Sequence, residues 1–202
     1  MSERDPAIAI LEFDSISAGI VAGDAMVKAA PLGAIYAGTV HPGKYLVMVS
    51  GDTASVDEAV QVGREVGSES VVDLVFLPDI HPSVAAATIG NSRRAPVGKE
   101  ALGVVETSSV AAAIDAADAG VKAAEVDLAA IRLADGLGGK GYVLFSGVVA
   151  GVEAALEAAV ARAEMHRALV RSDLIAQLHG EMADNLRGEL HFLSRVSTPG
   201  GG

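Results

Sequence analysis

Residues 7–30 read AIAILEFDSISAGIVAGDAMVKAA, and residues 101–124 read ALGVVETSSVAAAIDAADAGVKAA. The two stretches align without a gap at a shift of 94 residues, and twelve of the 24 positions are identical. Six identities are alanines, which an alanine-rich chain produces by chance. The other six are Glu12/Glu106, Ser15/Ser109, Ile20/Ile114, Asp24/Asp118, Val27/Val121 and Lys28/Lys122. A period of about 95 residues is too long for a solenoid repeat and indicates two tandem copies of one domain.

The hydrophobic pattern predicts the same order of elements in both copies. In the first copy it predicts strands Ala7–Phe13, Ala34–Val40, Tyr45–Val49 and Val71–Leu77, helices 16–30 and 54–66, and at most a short helix within 81–90. In the second it predicts strands 101–106, 128–134, 142–146 and 169–175, and helices 109–124, 149–165 and 179–187. This order predicts an α+β fold: two tandem βαββαβ sandwich domains, a ferredoxin-like variant with helices on one face of a four-stranded antiparallel sheet.

The same pattern sets the expected domain boundaries. We place the first domain at residues 1–94, with a linker at about 91–98 (NSRRAPVG), and the second domain at residues 99–202. The C-terminal STPGGG is expected to be disordered.

Composition limits the classes of function. Half of the 202 residues are apolar, yet no apolar run approaches the roughly 20 residues that a membrane span needs. The apolar excess therefore predicts burial between subunits. The net charge of −11 disfavours nucleic acid and anionic lipid as partners. The first residues, MSERDPAIAI, lack the pattern of a signal peptide, which predicts a cytoplasmic protein.

The sequence shows no catalytic signature. The absence of cysteine excludes disulfides, thiolate catalysis and thiolate metal sites. No serine has a nucleophile-elbow context. No histidine is placed beside a glutamate or aspartate in the HExxH or paired-carboxylate arrangement of a catalytic site. Gly136–Gly141 (GLGGKG) matches the dinucleotide motif formally, but a strand follows it where that motif needs a helix. We therefore expect no enzyme activity, no cofactor and no metal, and interpret this segment as a glycine-rich turn.

Several short motifs, in the same order in both copies, resemble bacterial microcompartment shell proteins. They are ALGVVE at 101–106, DAMVKAA at 24–30 with its echo at 118–124, HPGKY at 41–45 and the Ser-Gly-Asp turn at 50–52. The doubled chain is similar to their tandem-domain class, in which three chains form a pseudohexameric tile with a central pore. Both copies begin with the strand and the VKAA helix, which indicates an unpermuted domain order.

This resemblance implies partners and a location. A structural shell protein of this class would assemble as a homotrimer and pass small polar metabolites through its pore. Its further partners would be single-domain hexameric tiles, pentameric vertex proteins and encapsulated enzymes. It would reside in the shell of a bacterial microcompartment in the cytoplasm.

The resemblance also assigns residues to the pore and to the tile edge. The pore-lining set is His41, Pro42, Gly43, Lys44, Leu137, Gly138, Gly139 and Lys140. The edge set is Lys28, Lys122, His81 and His179. The family often carries an arginine before that histidine, where this chain has Ile80 and Leu178. Some tandem relatives hold an iron–sulfur cluster through a cysteine at the position of His41, which this chain cannot do.

Alternatives stay open at these positions. Three His41 side chains around one axis could form a metal-ligand set or remain unliganded turn residues. Lys44 and Lys140 could favour anions in the pore or could be ordinary solvated lysines. Lys28 and Lys122 can pair with the aspartates four residues earlier. A different function, a regulatory or enzymatic domain pair with a small molecule held between the copies, also stays open.

Overall fold

Each copy folds around a four-stranded antiparallel sheet. The computed structural model describes residues 7–89 and 101–187. The first copy contains β1 (Ala7–Phe13), α1 (Ile16–Ala29), β2 (Ala34–Val40), β3 (Lys44–Gly51), α2 (Thr53–Gly67), β4 (Val71–Leu77) and α3 (Pro82–Thr88). The second contains β5 (Ala101–Thr107), α4 (Val110–Ala123), β6 (Asp127–Leu133), β7 (Gly141–Gly147), α5 (Val149–Met165), β8 (Leu169–Ile175) and α6 (Gly180–Arg187). The predicted linker and the predicted disordered tail lie outside the described residues.

The strand orders are β2-β3-β1-β4 and β6-β7-β5-β8, with every pairing antiparallel. The predicted fold class is therefore confirmed. The equivalent helices α1 and α4 also begin alike. The hydroxyl of Ser15 accepts the N–H of Ala18 at 3.3 Å, and that of Ser109 accepts the N–H of Ala112 at 3.2 Å. Both serines are N-caps, which satisfy a backbone donor that the helix leaves free.

The core of the first copy lies between one face of its sheet and its two long helices. Alternate residues of β1 point to this face, and they pack against small and branched residues of α1 and α2. Gly63 allows the two helices to approach, because a Cβ there would lie 2.7 Å from the Met26 sulfur. The buried set is Ala7, Ala9, Leu11, Phe13, Ala22, Met26, Val47, Val49, Val56, Ala59 and Val60.

Helix α4 lies between two sheets. On one side it packs against its own strands, and on the other it covers the β1–β4 face of the first copy through Ile8, Ile10, Val75 and Leu77. Most of α4 is buried, including an alanine-rich stretch in which Ala111, Ala112, Ala113, Ala116 and Ala117 are fully buried. A helix with apolar residues on two faces requires such an environment. Its alanines let both sheets come close, so α4 joins the two copies into one core.

Helix α1 has the same sequence pattern but a different environment. Ile16, Ile20 and Val27, which are spaced so as to share one face of this helix, are exposed. The residues that pack on its own sheet are instead Ala22 and Met26, with glycines beside them. The periodicity therefore marks a second apolar face, which is covered in α4 and uncovered in α1.

A buried carboxylate joins β1 to the beginning of α4. Glu12 is fully buried, and its Oε1 accepts the backbone N–H of Ala111 at 2.7 Å. Its Oε2 lies 3.2 Å from the Lys44 ammonium. Burial raises the pKa of Glu12 above its ordinary value, against the opposing effects of the Ala111 N–H and Lys44. Anionic groups are favoured near helix N-termini, so this contact fixes the position of α4 on the first sheet.

A second polar cluster joins β4 to α4 and the end of α5. His166 Nδ1 lies 2.7 Å from Asp73 Oδ1, and its Nε2 lies 3.0 Å from Asp115 Oδ2. Arg162 Nε donates to Asp115 at 2.9 Å, and the Ser109 hydroxyl donates to Asp73. Hydrogen bonds to Asp115 and Asp73 raise the pKa of His166 to about 9. Although burial opposes it, bonding from His166 and Arg162 keeps the pKa of Asp115 below its ordinary value.

The charge on His166 should make the contact between the copies pH-dependent. Its pKa is raised from 6.5 to about 9 on folding, so its contribution to stability is complete below pH 6.5 and is lost as the pH rises through 9. We expect the melting temperature to fall between pH 6.5 and pH 9, and His166→Gln to reduce that fall. The measurement is thermal unfolding of both proteins across this range. His179→Gln, at an exposed histidine, is the matched control and should retain the wild-type pH profile.

Candidate pore loops and assembly surfaces

The two predicted pore segments lie side by side. They are the turn between β2 and β3 and the loop between β6 and β7. A Cβ at Gly139 would lie 2.9 Å from Cδ of Pro42, and His41 Nδ1 is 3.8 Å from Asp135 Oδ1. A cleft of about 600 Å³ is lined by both segments, through Ile16, Thr39, Val40, His41, Gly43, Asp135 and Gly136. The fold therefore brings the segments from the two copies together.

Left-handed glycines shape both segments. Gly43 has φ +88°, and Gly138 and Gly139 have φ +63° and +82°. Only glycine adopts this region without strain, which explains why the turns keep glycine. The two adjacent glycines differ in their surroundings: Gly139 contacts Pro42, whereas no heavy atom lies within 4 Å of a Cβ at Gly138. Gly138 is exposed and Leu137 is half-buried.

The two lysines of the pore set point back toward the sheets. Lys44 pairs with Glu12, and Lys140 Nζ lies 2.7 Å from Glu106 Oε1. The two alternatives were anion preference and ordinary solvated lysines; the ion pairs speak against anion preference, because each charge is already balanced by a strand glutamate. Selectivity for anions would therefore have to come from other groups, such as the loop amides.

The predicted edge lysines have different environments. Lys28 pairs with Asp24 at 2.5 Å on the surface. Lys122 pairs with Asp118 at 2.7 Å and also donates to the carbonyl of Asp79 in the first copy. The pairs expected four residues apart are thus present in both copies. Lys122, however, also lies at the contact between the copies.

The two edge histidines begin short helices. The ring Nδ1 of His81 accepts the backbone N–H of Ser83 at 3.3 Å. The backbone N–H of His81 donates to Asp118 Oδ1 at 2.7 Å. His179 Nδ1 accepts the N–H of Glu181 at 3.4 Å. Their rings therefore act as structural hydrogen-bonding groups at the starts of α3 and α6.

Metal binding and membrane insertion each require a distinct structural feature. In residues 7–89 and 101–187, no three histidine, cysteine, aspartate or glutamate side chains cluster so as to hold a metal ion. Within these same ranges, none of the helices is both long and apolar enough to cross a membrane.

The polar residues between the copies were not among the predicted site residues. Glu12 and Glu106 belong to the aligned repeat, but alignment alone does not reveal that Glu12 contacts the second copy. His166 has no counterpart in the first copy. One feature of the sequence could have indicated a difference at this point. Equivalent residues of the two copies are 96 apart where α2 and α5 begin and 98 apart in β4 and β8, so the second copy has two additional residues near the end of α5.

The BMC domain family profile matches residues 7–80 and 101–178. Both matches begin at the first strand of a copy. The chain therefore belongs to the BMC domain family, and the predicted resemblance to microcompartment shell proteins is confirmed. It is a structural shell tile protein built from two such domains in tandem.

Relatives of known class agree. The bacterial microcompartment shell protein PduT of Citrobacter freundii is 40% identical over 176 residues, which cover 87% of this chain and 95% of PduT. The shell protein EutM of Salmonella typhimurium is 38% identical over 85 residues, 42% of this chain and 86% of EutM. The second match fits a relative that carries a single copy of the domain.

Solved structures give the same result. A microcompartment protein from Desulfitobacterium hafniense superposes with a TM-score of 0.75 at 39% identity, over 88% of this chain and 98% of that chain. The fused permuted hexameric shell protein MSM0275 superposes with a TM-score of 0.57 at 23% identity, over 80% and 85%. The second comparison supports the fold alone.

The two adjacent loop glycines should respond differently to alanine. Both substitutions place a side chain at positive φ, which costs about 1–2 kcal/mol. Only Gly139→Ala also forces a methyl group against Pro42, so we expect it to destabilise the chain more than Gly138→Ala. Chemical denaturation of both variants measures the difference. Equal losses would mean that the two loops do not pack on each other as described.

Proposed function

We propose that three copies of this chain close into a pseudohexameric tile of a microcompartment facet, with a central pore for small polar metabolites. One observation carries the proposal: the chain contains one complete joint between domains and both halves of a second, unfilled one. The complete joint is α4 on the β1–β4 face. The halves are the exposed face of α1 and the β5–β8 face, on which Ile175 is exposed while Leu102 is already buried in a cluster with α6.

Equivalent positions support this proposal. Ile114 on α4 is fully buried, whereas its counterpart Ile20 on α1 is 53% exposed. On the sheet side, Leu77 is 5% exposed, whereas Ile175, at the same register in the second copy, is 39% exposed. Both halves thus expose an apolar side chain whose counterpart is buried in the complete joint, although Asp173 stands where the first copy has Val75. A second copy that docks α1 on the β5–β8 face would bury both.

Such a contact joins different surfaces head to tail, and it forms a closed ring when the rotation between neighbours completes a turn. Six domains, as in the tandem-domain shell class, correspond to three chains. The His41–Lys44 turn and the Asp135–Gly141 loop would then alternate three times around one opening. Their contact within the chain supports a shared position at this opening.

This proposal includes the location and the partners. The chain would reside in the shell of a bacterial microcompartment in the cytoplasm, beside hexameric tiles and pentameric vertex proteins, around encapsulated enzymes. It would act as a structural protein without catalysis, in accord with its shell-protein relatives. The alternative of a ligand held between the copies is not favoured, because α4 fills much of that contact with buried apolar side chains.

The exposed face of α1 provides the direct test. Ile20→Glu places a charge on this face, so we expect it to disperse the trimer into folded monomers. Native mass spectrometry should find the wild type at three times the chain mass of 20.4 kDa and the variant at the mass of a single chain. Ile114→Glu buries the same charge within the chain and should instead prevent stable folding. Val148→Glu, at an exposed apolar residue beside α5, is the control and should remain trimeric.

A wild-type chain that is monomeric at micromolar concentration would contradict the proposed tile. An Ile20→Glu variant that stays trimeric would leave the tile possible but would place its joint elsewhere than α1.

The edge role of Lys28 can be separated from a role in the ring. Lysine contributes packed apolar surface as well as charge, so Lys28→Ala should leave the trimer intact and reduce its assembly into sheets. Light scattering and electron microscopy measure the assembly. Lys28→Ala is the cleaner substitution, because Lys122 also contacts Asp79 within the chain. Loss of the trimer itself would assign Lys28 to the joint between chains, and unchanged sheets would exclude the edge role.

A further inference from the structure

The complete joint inside the chain contains a carboxylate that binds the beginning of a helix, and we call this contact its polar anchor. The second copy carries a glutamate at the equivalent position, where it is paired with a lysine. In the complete joint, the carboxylate of Glu12 accepts the N–H of Ala111 at the beginning of α4 while Lys44 balances its charge. Glu106 stands at the equivalent position of β5 and is paired with Lys140. Its side chain is 35% exposed, whereas that of Glu12 is fully buried.

The equivalence of the two glutamates is set by the sheets as well as by the sequence. Glu12 lies between Leu46 and Asp73 on the neighbouring strands. Glu106 lies between Tyr142 and Arg171 in the same way. Both strands are irregular directly after the glutamate. The two carboxylates therefore project from the same place on equivalent sheets.

The helix side of the anchor is also repeated. At the shift of 94 residues, Ala111 corresponds to Ser17 in the first turn of α1. The N-cap hydroxyls of Ser109 and Ser15 accept equivalent backbone N–H groups in the first turns of α4 and α1. Ser17 is exposed, so the beginning of α1 is accessible to a second molecule.

We propose that the carboxylate of Glu106 accepts a hydrogen bond from the backbone N–H of Ser17 in the next copy of this chain. The contact rests on the proposed trimer and names its polar anchor. Lys140 would balance the charge of the carboxylate and orient it, as Lys44 does for Glu12. The apolar face of α1 would bury the pair, and the carboxylate would lie at the positive end of the α1 helix.

The other polar cluster of the complete joint is not repeated. Arg171 occupies the position of Asp73, and Val21 that of Asp115. His166 directly follows α5, which is two residues longer than the equivalent helix α2 of the first copy. Arg171 pairs with Asp173 on its own strand at 2.6 Å. The joint between chains would therefore depend more on its glutamate than the joint within the chain does.

The test compares three glutamate-to-glutamine variants by dilution in mass photometry and by thermal unfolding. Hydrogen bonds to charged groups contribute enough that Glu106→Gln should raise the concentration at which the trimer dissociates roughly tenfold or more. Glu12→Gln should instead lower the melting temperature of the chain itself. Glu157→Gln, at an exposed glutamate on α5, should change neither quantity.

A crosslinking experiment tests the contact by position. Because the chain contains no cysteine, Ser17→Cys combined with Glu106→Cys provides two thiols that a short bismaleimide can join. Linked species of two and three chain masses are expected on a denaturing gel. Ser17→Cys combined with Glu157→Cys controls for random collisions and should stay at one chain mass.

The outcomes separate the two proposals. A wild-type chain that is monomeric overturns the proposed function and this contact with it. A wild-type trimer that is indifferent to Glu106→Gln, and whose thiol pair does not link, overturns this contact alone.

Discussion

The structure depends on the burial of α4 between two sheets. A helix that packs on one sheet needs one apolar face, but α4 has two, and the second is satisfied only by the β1–β4 face of the other copy. Its run of alanines keeps the distance between the sheets short enough for branched side chains to fill it. Interfaces between domains of one chain are often more polar and permit relative motion. This one resembles a domain core, so the two copies form a single packed unit.

Polar groups inside this contact give it direction. An apolar helix on an apolar sheet can slide or rotate with little change in buried area, because the hydrophobic effect has no preferred geometry. Glu12 and Asp73 face α4 from the sheet, and each has a directed partner. A buried carboxylate without its partner would cost free energy, so these bonds fix one position of α4. The alanines allow the two sheets to lie close to α4, and the carboxylates fix the position of α4 on the first sheet.

Much of the fold could be predicted from the sequence, because strand and helix periods are local. Strands Ala7–Phe13, Ala34–Val40 and Val71–Leu77 have the predicted bounds. Which element covers an apolar helix face depends on residues far away in the sequence, so a local pattern does not reveal it. Ile20 and Ile114 are identical in the repeat, yet one is exposed and the other is buried by a different sheet. His166 was missed for the same reason: its role exists only where β4, α4 and α5 meet.

The predicted site residues show a similar division. Glycines at positive φ could be anticipated from composition and motif, and Gly43, Gly138 and Gly139 have such conformations. The direction of Lys44 and Lys140 could not, because a side chain beside a turn can point along the sheet or away from it. The sheet decides it, since the glutamates on the central strands lie within reach of both ammonium groups.

The covalent link between the copies has a consequence for how the α4 contact responds to dilution. Two separate domains that met through this surface would lose translational and rotational freedom on association, a cost of several kcal/mol. Within one chain the encounter is intramolecular, with an effective concentration that a linker sets in the millimolar range. The contact between the copies therefore forms whatever the amount of protein in the cell. The tandem arrangement makes this contact independent of expression level, and its two sides can differ in sequence while remaining complementary.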